Sequence, residues 1–230
     1  MPDPINSEVA DVAIIDYGMG NLLSVSKAFE HVAREANPGA KIVVTSDPAV
    51  IAAAARVVFP GVGAMPDCIR ELEQRGLIDV VKAAAVSKPF LGICLGMQAL
   101  FAHSEEGDCA GLGLLPGTVR LFPAEAMKDE HGAKLKVPHI GWNQVHQAGT
   151  HPLWAGIEDG ARFYFVHSYY AEPASQDVVS GFTHYPFAFT CAVARGNLFA
   201  VQFHPEKSQA AGLRLLANFV TWNGFGPVHG

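Results

Sequence analysis

The sequence predicts an α/β fold of three layers, α/β/α, around a mostly parallel central sheet. Short apolar runs alternate with segments of helical periodicity through the N-terminal half, an order that builds parallel strands joined by crossover helices. The runs are apolar at nearly every position, as in strands covered on both faces. Glycine-rich turns follow them at the ends where such sheets collect function.

Taken in order, Val12 to Asp16 reads as a strand, Tyr17 to Asn21 as a glycine-rich turn and Leu22 to about Ala33 as an amphipathic helix. Lys41 to Thr45 is a second strand, followed after Asp47-Pro48 by a short alanine-rich helix. Val57 to Phe59 is a third, with one helix expected within Asp67 to Val86. Pro89 to Cys94 is the fourth, and a helical pattern begins directly after it. Beyond Gly107 the texture changes. Gly111 to Phe122 is glycine-rich with short extended pieces, and the charged stretch Pro123 to Lys136 reads as an exposed excursion, a loop or β-hairpin. Arg162 to His167, Val178 to Phe182, Phe187 to Val193 and Leu198 to Phe203 suit strands by their aromatic and β-branched content. A last helix is expected over about Ser208 to Trp222.

With 230 residues, 50% hydrophobic and 17% charged, the chain can bury a sizeable core. One domain over 11–224 is expected, with an N-terminal tail at 1–10 and a C-terminal tail at 225–230. A net charge of −6 with no basic cluster gives no field for nucleic acid. The start lacks the pattern of a signal peptide and no apolar run reaches membrane-spanning length, so a cytoplasmic protein is expected. Cys68, Cys94, Cys109 and Cys191 show no CxxC pair or zinc spacing. No disulfide, metal or cofactor is expected.

Within Lys88 to Phe101, glycines stand two residues before and two after Cys94. Gly-x-Cys-x-Gly at a strand-to-helix junction is a nucleophile elbow, a turn too sharp for side chains at the flanking positions. The start of a helix would favour thiolate and offer free N–H groups to a developing negative charge. Without the glycines, a buried core cysteine would be the simpler reading.

A cysteine hydrolase also needs a base and a group to orient it. His204 follows the apolar strand ending at Phe203, and Glu206 lies two residues on, so Cys94, His204 and Glu206 form a candidate triad. A His-x-Glu pair alone is more often a surface loop. The N–H of Leu95 is one expected oxyanion donor. Val62, in Pro60-Gly61-Val62-Gly63 at another strand end, is the second candidate, although a Pro-Gly pair by itself is also an ordinary turn.

At Gly92-Ile93-Cys94-Leu95-Gly96-Met97-Gln98, taken with Phe203-His204-Pro205-Glu206-Lys207-Ser208, the chain resembles the class I (triad) glutamine amidotransferases. Asp16 to Leu22, Phe59 to Gly63, Ser104 to Gly107, Gly111 to Leu115, Pro138 to Asn143 and Tyr164 to Tyr169 narrow that resemblance to the glutaminase subunits of imidazole glycerol phosphate synthase. It covers about residues 11 to 224.

The resemblance implies a flavodoxin-like amidotransferase fold and hydrolysis of glutamine to glutamate and ammonia through a thioester on Cys94. It places the Gly63 backbone, Gln98, His167, Ser168 and Tyr169 around glutamine. Read without it, Gln98 is an exposed helix residue, and His167 and Tyr169 are packed polar residues at a strand end. It also implies a heterodimer with a (β/α)8 barrel cyclase that uses the ammonia to make imidazole glycerol phosphate and an aminoimidazole carboxamide ribotide in histidine biosynthesis. Asn21, Pro138, Trp142 and Lys207 would face that partner; unaided, Trp142 reads as core.

Three other readings remain at this point. A glutaminase serving a different ammonia-using synthase is disfavoured by Asp16 to Leu22 and His139 to Asn143. A cysteine esterase of α/β-hydrolase type would place its acid before its histidine, whereas Glu206 follows His204. A non-catalytic docking subunit would not need the triad.

Overall fold

A computed structural model of the chain describes residues 9–128 and 131–225. Strands β1 (Val12–Ile15), β2 (Ile42–Thr45), β3 (Arg56–Gly61) and β4 (Phe90–Cys94) alternate with helices α1 (Leu22–Ala36), α2 (Pro48–Ala53), α3 (Met65–Gln74) and α4 (Ile78–Ser87). With β13 (Leu198–Val201) they form a parallel block in the order β2-β1-β3-β4-β13. Alternate side chains explain its two covered faces. Val12, Ile14, Val58, Leu91, Ile93, Phe199 and Val201 share one core cluster with Phe29 of α1 and Leu215 and Phe219 of α6 (Gln209–Thr221). Ile15, Val57, Phe59, Phe90 and Ala200 share the other with Cys68, Leu72 and Val81 from α3 and α4. Each fully buried phenylalanine among them contributes roughly 2–3 kcal/mol.

The single helix expected within Asp67 to Val86 is two. Gly76, at φ +64°, closes α3 and lets the chain turn before α4; a residue with a Cβ takes that conformation at a cost. The helix expected directly after Cys94 is present as a single turn, α5 (Leu95–Gln98).

Past β13 the sheet continues through β12 (Ala188–Arg195), β10 (Tyr169–Pro173), β7 (Leu115–Leu121), β5 (Phe101–Ser104) and β6 (Cys109–Ala110), largely antiparallel. Strand β11 (Val179–His184) branches from β12 to β8 (His139–Gln147), which pairs with β9 (Ala161–His167). Strands β5, β8 and β10 carry no strand pattern that stands out in the sequence. Strand β8 alternates buried and exposed positions and holds few aliphatic residues.

Of the excursion expected at Pro123 to Lys136, residues 129 and 130 lie outside the described residues. The remainder holds one antiparallel bridge, Lys128 to Lys134, and Met127 is buried in the main core, so it is anchored rather than wholly exposed. Most of both expected tails, residues 1–8 and 226–230, is likewise outside the described residues. No described helix is long and apolar enough to cross a membrane.

Candidate active site

Strands β3, β4 and β13 end side by side, and the candidate site lies at those ends. Cys94 closes β4 with φ 54° and ψ −112°, a backbone conformation that non-glycine residues adopt only under constraint. Packing imposes it. A Cβ on Gly96 would stand 1.9 Å from the Phe59 carbonyl oxygen, and one on Gly92 would stand 3.0 Å from the Ala200 Cβ. The elbow therefore closes down onto its neighbours and holds Cys94 at the mouth, 7% exposed. Because α5 is one turn, its macrodipole is small. The N–H of Leu95, the expected oxyanion donor, stands at its start.

Gly61 pairs in register with Cys94 across β3 and β4, so the turn that follows lies against the sulfur. Val62 and Gly63 line the same cleft, a space of about 300 Å³ also bordered by Leu95, Gln98, Glu106, Ser168, Tyr169 and His204. A larger cleft of about 1060 Å³ meets it at Pro138 but is walled by Leu121, Phe122, Met127 and Tyr185 and is lined by neither cysteine nor histidine. The smaller one is lined by both Cys94 and His204.

His204 lies just beyond β13, 2% exposed. Its Nδ1 is 2.8 Å from Oε1 of Glu206, and its Nε2 is buried with no hydrogen bond among the described residues. Burial disfavours the charged ring, yet the sulfur of Cys94 and then the carboxylate of Glu206 outweigh it and raise the imidazole pKa to about 10. The ring thus lies between sulfur and carboxylate, and the three residues of the expected triad are brought together.

The expected glutamine-binding residues divide by how their polar atoms are used. Gln98 is buried, and its Nε2 donates to the Tyr169 carbonyl (3.0 Å) and to Oε1 of Gln202 (2.9 Å). His167 lines the cleft with both ring nitrogens engaged. Nδ1 donates to the Tyr169 carbonyl at 2.7 Å, which leaves Nε2 to accept from Nδ1 of His139 at 3.0 Å. Nδ2 of Asn143 lies 3.3 Å from the remaining nitrogen of His139. Both rings are held neutral: burial lowers the pKa of His139 to about 4 and, with His139 and His204 nearby, that of His167 to about 3.

Glu106 falls inside the Ser104 to Gly107 motif, which by itself assigns it no role. Among the described residues lining the cleft it is the one carboxylate, and it is held by the Met65 N–H at 2.8 Å. An acidic side chain beside a glycine in an otherwise ordinary loop gives no sequence signal of its own. The four residues expected at a partner surface are all exposed. Asn21 caps α1, accepting from the Ser24 N–H at 3.3 Å, and Trp142, expected as core without the resemblance, is 42% exposed and packs edge-on to Tyr164.

A parallel sheet with a cysteine elbow and a buried His-Glu pair at its carboxyl ends defines a triad hydrolase. The model of the glutamine amidotransferase class-I family matches residues 13–222, and the chain belongs to that family. Among solved structures, a crystal structure of glutamine amidotransferase superposes with a TM-score of 0.67 at 15% identity, covering 92% of this chain and 99% of that one. One of a putative GMP synthase component from Thermoplasma acidophilum gives 0.62 at 18% identity, with 92% of each covered. These likenesses show the fold.

Closer relatives specify the branch. The chain is 68% identical over 213 residues to imidazole glycerol phosphate synthase subunit HisH of Thiobacillus denitrificans, covering 93% of this chain and 92% of the relative. It is 64% identical over 214 residues to the subunit of the same name from Nitrosospira multiformis, covering 93% and 99%. Within the class, it belongs with the HisH subunits.

Proposed function

We propose that this chain hydrolyses glutamine to glutamate and ammonia as the glutaminase subunit of an imidazole glycerol phosphate synthase. The observation that carries this reading is His204, buried between the Cys94 elbow and Oε1 of Glu206 at 2.8 Å.

His204 has already taken the thiol proton, and the sulfur attacks the γ-carboxamide carbon. Negative charge on the oxygen is met by the N–H groups of Leu95 and Val62. As the C–N bond breaks, His204 returns the proton to the departing ammonia and leaves a γ-glutamyl thioester on Cys94. Water, deprotonated by the same imidazole, attacks the thioester, and glutamate leaves as the thiol is restored. Glu206 keeps the ring in one orientation and compensates its charge.

Glutamine lies along the cleft between Gly63 and Ser168-Tyr169, with the Glu106 carboxylate suited to its α-ammonium group. Gln98 has spent its amide protons on Tyr169 and Gln202, so only its oxygen is offered to substrate. His167 acts by bracing the Tyr169 carbonyl.

The ammonia passes to a partner cyclase with a (β/α)8 barrel, in a heterodimer whose contact includes Asn21, Pro138, Trp142 and Lys207. That reading is supported by their exposure and by the names of the relatives. Its test is a comparison of nitrogen sources in the complex. Cys94→Ala abolishes glutamine-dependent synthesis while supplied ammonia still supports it; equal loss with both sources would contradict the reading.

A further inference from the structure

Gln202 is fully buried, immediately after β13 and two residues before His204. Its backbone is fixed by its own N–H, which donates to the Cys191 carbonyl at 2.8 Å. Its side chain is fixed at both ends. Oε1 accepts from Nε2 of Gln98 at 2.9 Å, and Nε2 reaches Sγ of Cys94 at 3.7 Å, within range for an N–H donor to sulfur. Nε2 of Gln98 in turn donates to the Tyr169 carbonyl at 3.0 Å. A carbonyl can only accept, so the direction of the whole chain follows: Gln98 must present N–H to Tyr169, Gln202 must present oxygen to Gln98, and its own N–H must then face the sulfur.

From this chain we infer that Gln202 is a positioning residue for the glutaminase reaction, donating to the Cys94 sulfur while locking the Gln98 amide oxygen toward the substrate. The inference rests on the reading of Cys94 as nucleophile. Every carbonyl near a thiolate repels it, and an apolar contact leaves it free to rotate; an amide N–H held from behind does neither. Gln202 is buried and does not line the cleft, so it restrains the elbow without competing with substrate. One buried amide thereby links the nucleophile to the strand start at Tyr169 that borders the substrate.

Two variants separate the two links. Gln202→Met keeps the length and apolar packing but removes both hydrogen bonds, whereas Gln202→Glu keeps an oxygen for Gln98 and turns the atom facing sulfur into an acceptor. Measured on the complex with its cyclase partner at one fixed pH, both variants lower kcat and the rate of Cys94 alkylation by iodoacetamide by about tenfold or more, the scale for losing a hydrogen bond to a charged group. KM for glutamine rises in Gln202→Met and stays closer to wild type in Gln202→Glu. Gln98→Met, which breaks only the outer link, raises KM more than it lowers alkylation, and its effect is not additive with Gln202→Met. If Gln202→Glu folds with wild-type alkylation and kcat, or if the two Met substitutions add independently, the inference fails. Wild-type protein that is neither alkylated at Cys94 nor active would instead overturn the nucleophile reading beneath it.

Discussion

Nδ1 of His204 stands 2.8 Å from Oε1 of Glu206, with the two side chains 3% and 1% exposed. The other oxygen, Oε2, is buried with no hydrogen bond among the described residues, so the imidazole supplies most of what compensates the carboxylate. Glu206→Gln keeps the shape and removes the charge. It is expected to lower kcat by at least about 100-fold, as when the orienting acid of a hydrolase triad is neutralised. Steady-state glutamate release measures it.

The same pairing makes His204 a structural partner as well as a base. His204→Ala strands a buried carboxylate and is expected to cost about 3 kcal/mol of stability. Cys94→Ala strands no charge and relieves none of the packing around the elbow, so it should cost less. Urea unfolding of the two variants side by side gives the comparison, and equal costs would mean that Glu206 finds other compensation.

Gly96 is bound to its neighbour by space alone. With the Phe59 carbonyl 1.9 Å from where a Cβ would stand, Gly96→Ala must move β3 or the elbow, and a loss of about 3 kcal/mol or more is expected. Thermal unfolding would show a fall of several degrees, and glutaminase activity would fall with it because the displaced backbone carries the Leu95 donor.

Stability should decline on both sides of neutrality. Burial holds His139 and His151 at about 4 and His167 at about 3, below the unfolded value of about 6.5, so unfolding takes up protons as pH falls from about 6.5 toward 3 and stability is lost over that window. His204 is shifted the other way, to about 10; its contribution is present below about 6.5 and is lost as pH rises through about 10. His151 packs on Phe199 and accepts from the Leu153 N–H away from the cleft. His151→Phe should therefore flatten the acid limb of unfolding midpoint against pH without altering the alkaline limb.

Glu106→Gln tests substrate recognition. Losing the cleft's carboxylate should raise KM for glutamine about tenfold or more with a smaller change in kcat, since the α-ammonium group is remote from the bond that breaks. Steady-state kinetics of the complex would show it, and an unchanged KM would assign that group elsewhere.

The elbow was legible because its requirement is local: Gly92 and Gly96 must lack side chains, and no other residue satisfies that. The parallel block was legible because Val12 to Ile15, Val57 to Phe59 and Phe90 to Ile93 are buried on both faces and so are apolar throughout. Strand β8 was not, since His139, Asn143 and His146 satisfy their polarity through neighbours distant in sequence. The break at Gly76 hid within a continuous helical pattern. Gln202 closes an apolar run, and what distinguishes it, the sulfur on one side and Gln98 on the other, is brought together only by the sheet order that sets β13 beside β4.

Glutamate release from glutamine, measured on the chain alone and then with a cyclase partner and its nucleotide substrate, with Cys94→Ser alongside, is the most direct measurement. Release that rises in the complex and vanishes in Cys94→Ser is the expected result. A wild-type chain that binds the cyclase yet releases no glutamate, or a Cys94→Ser chain that releases it at the wild-type rate, would contradict the assignment of Cys94, His204 and Glu206 as the glutaminase centre.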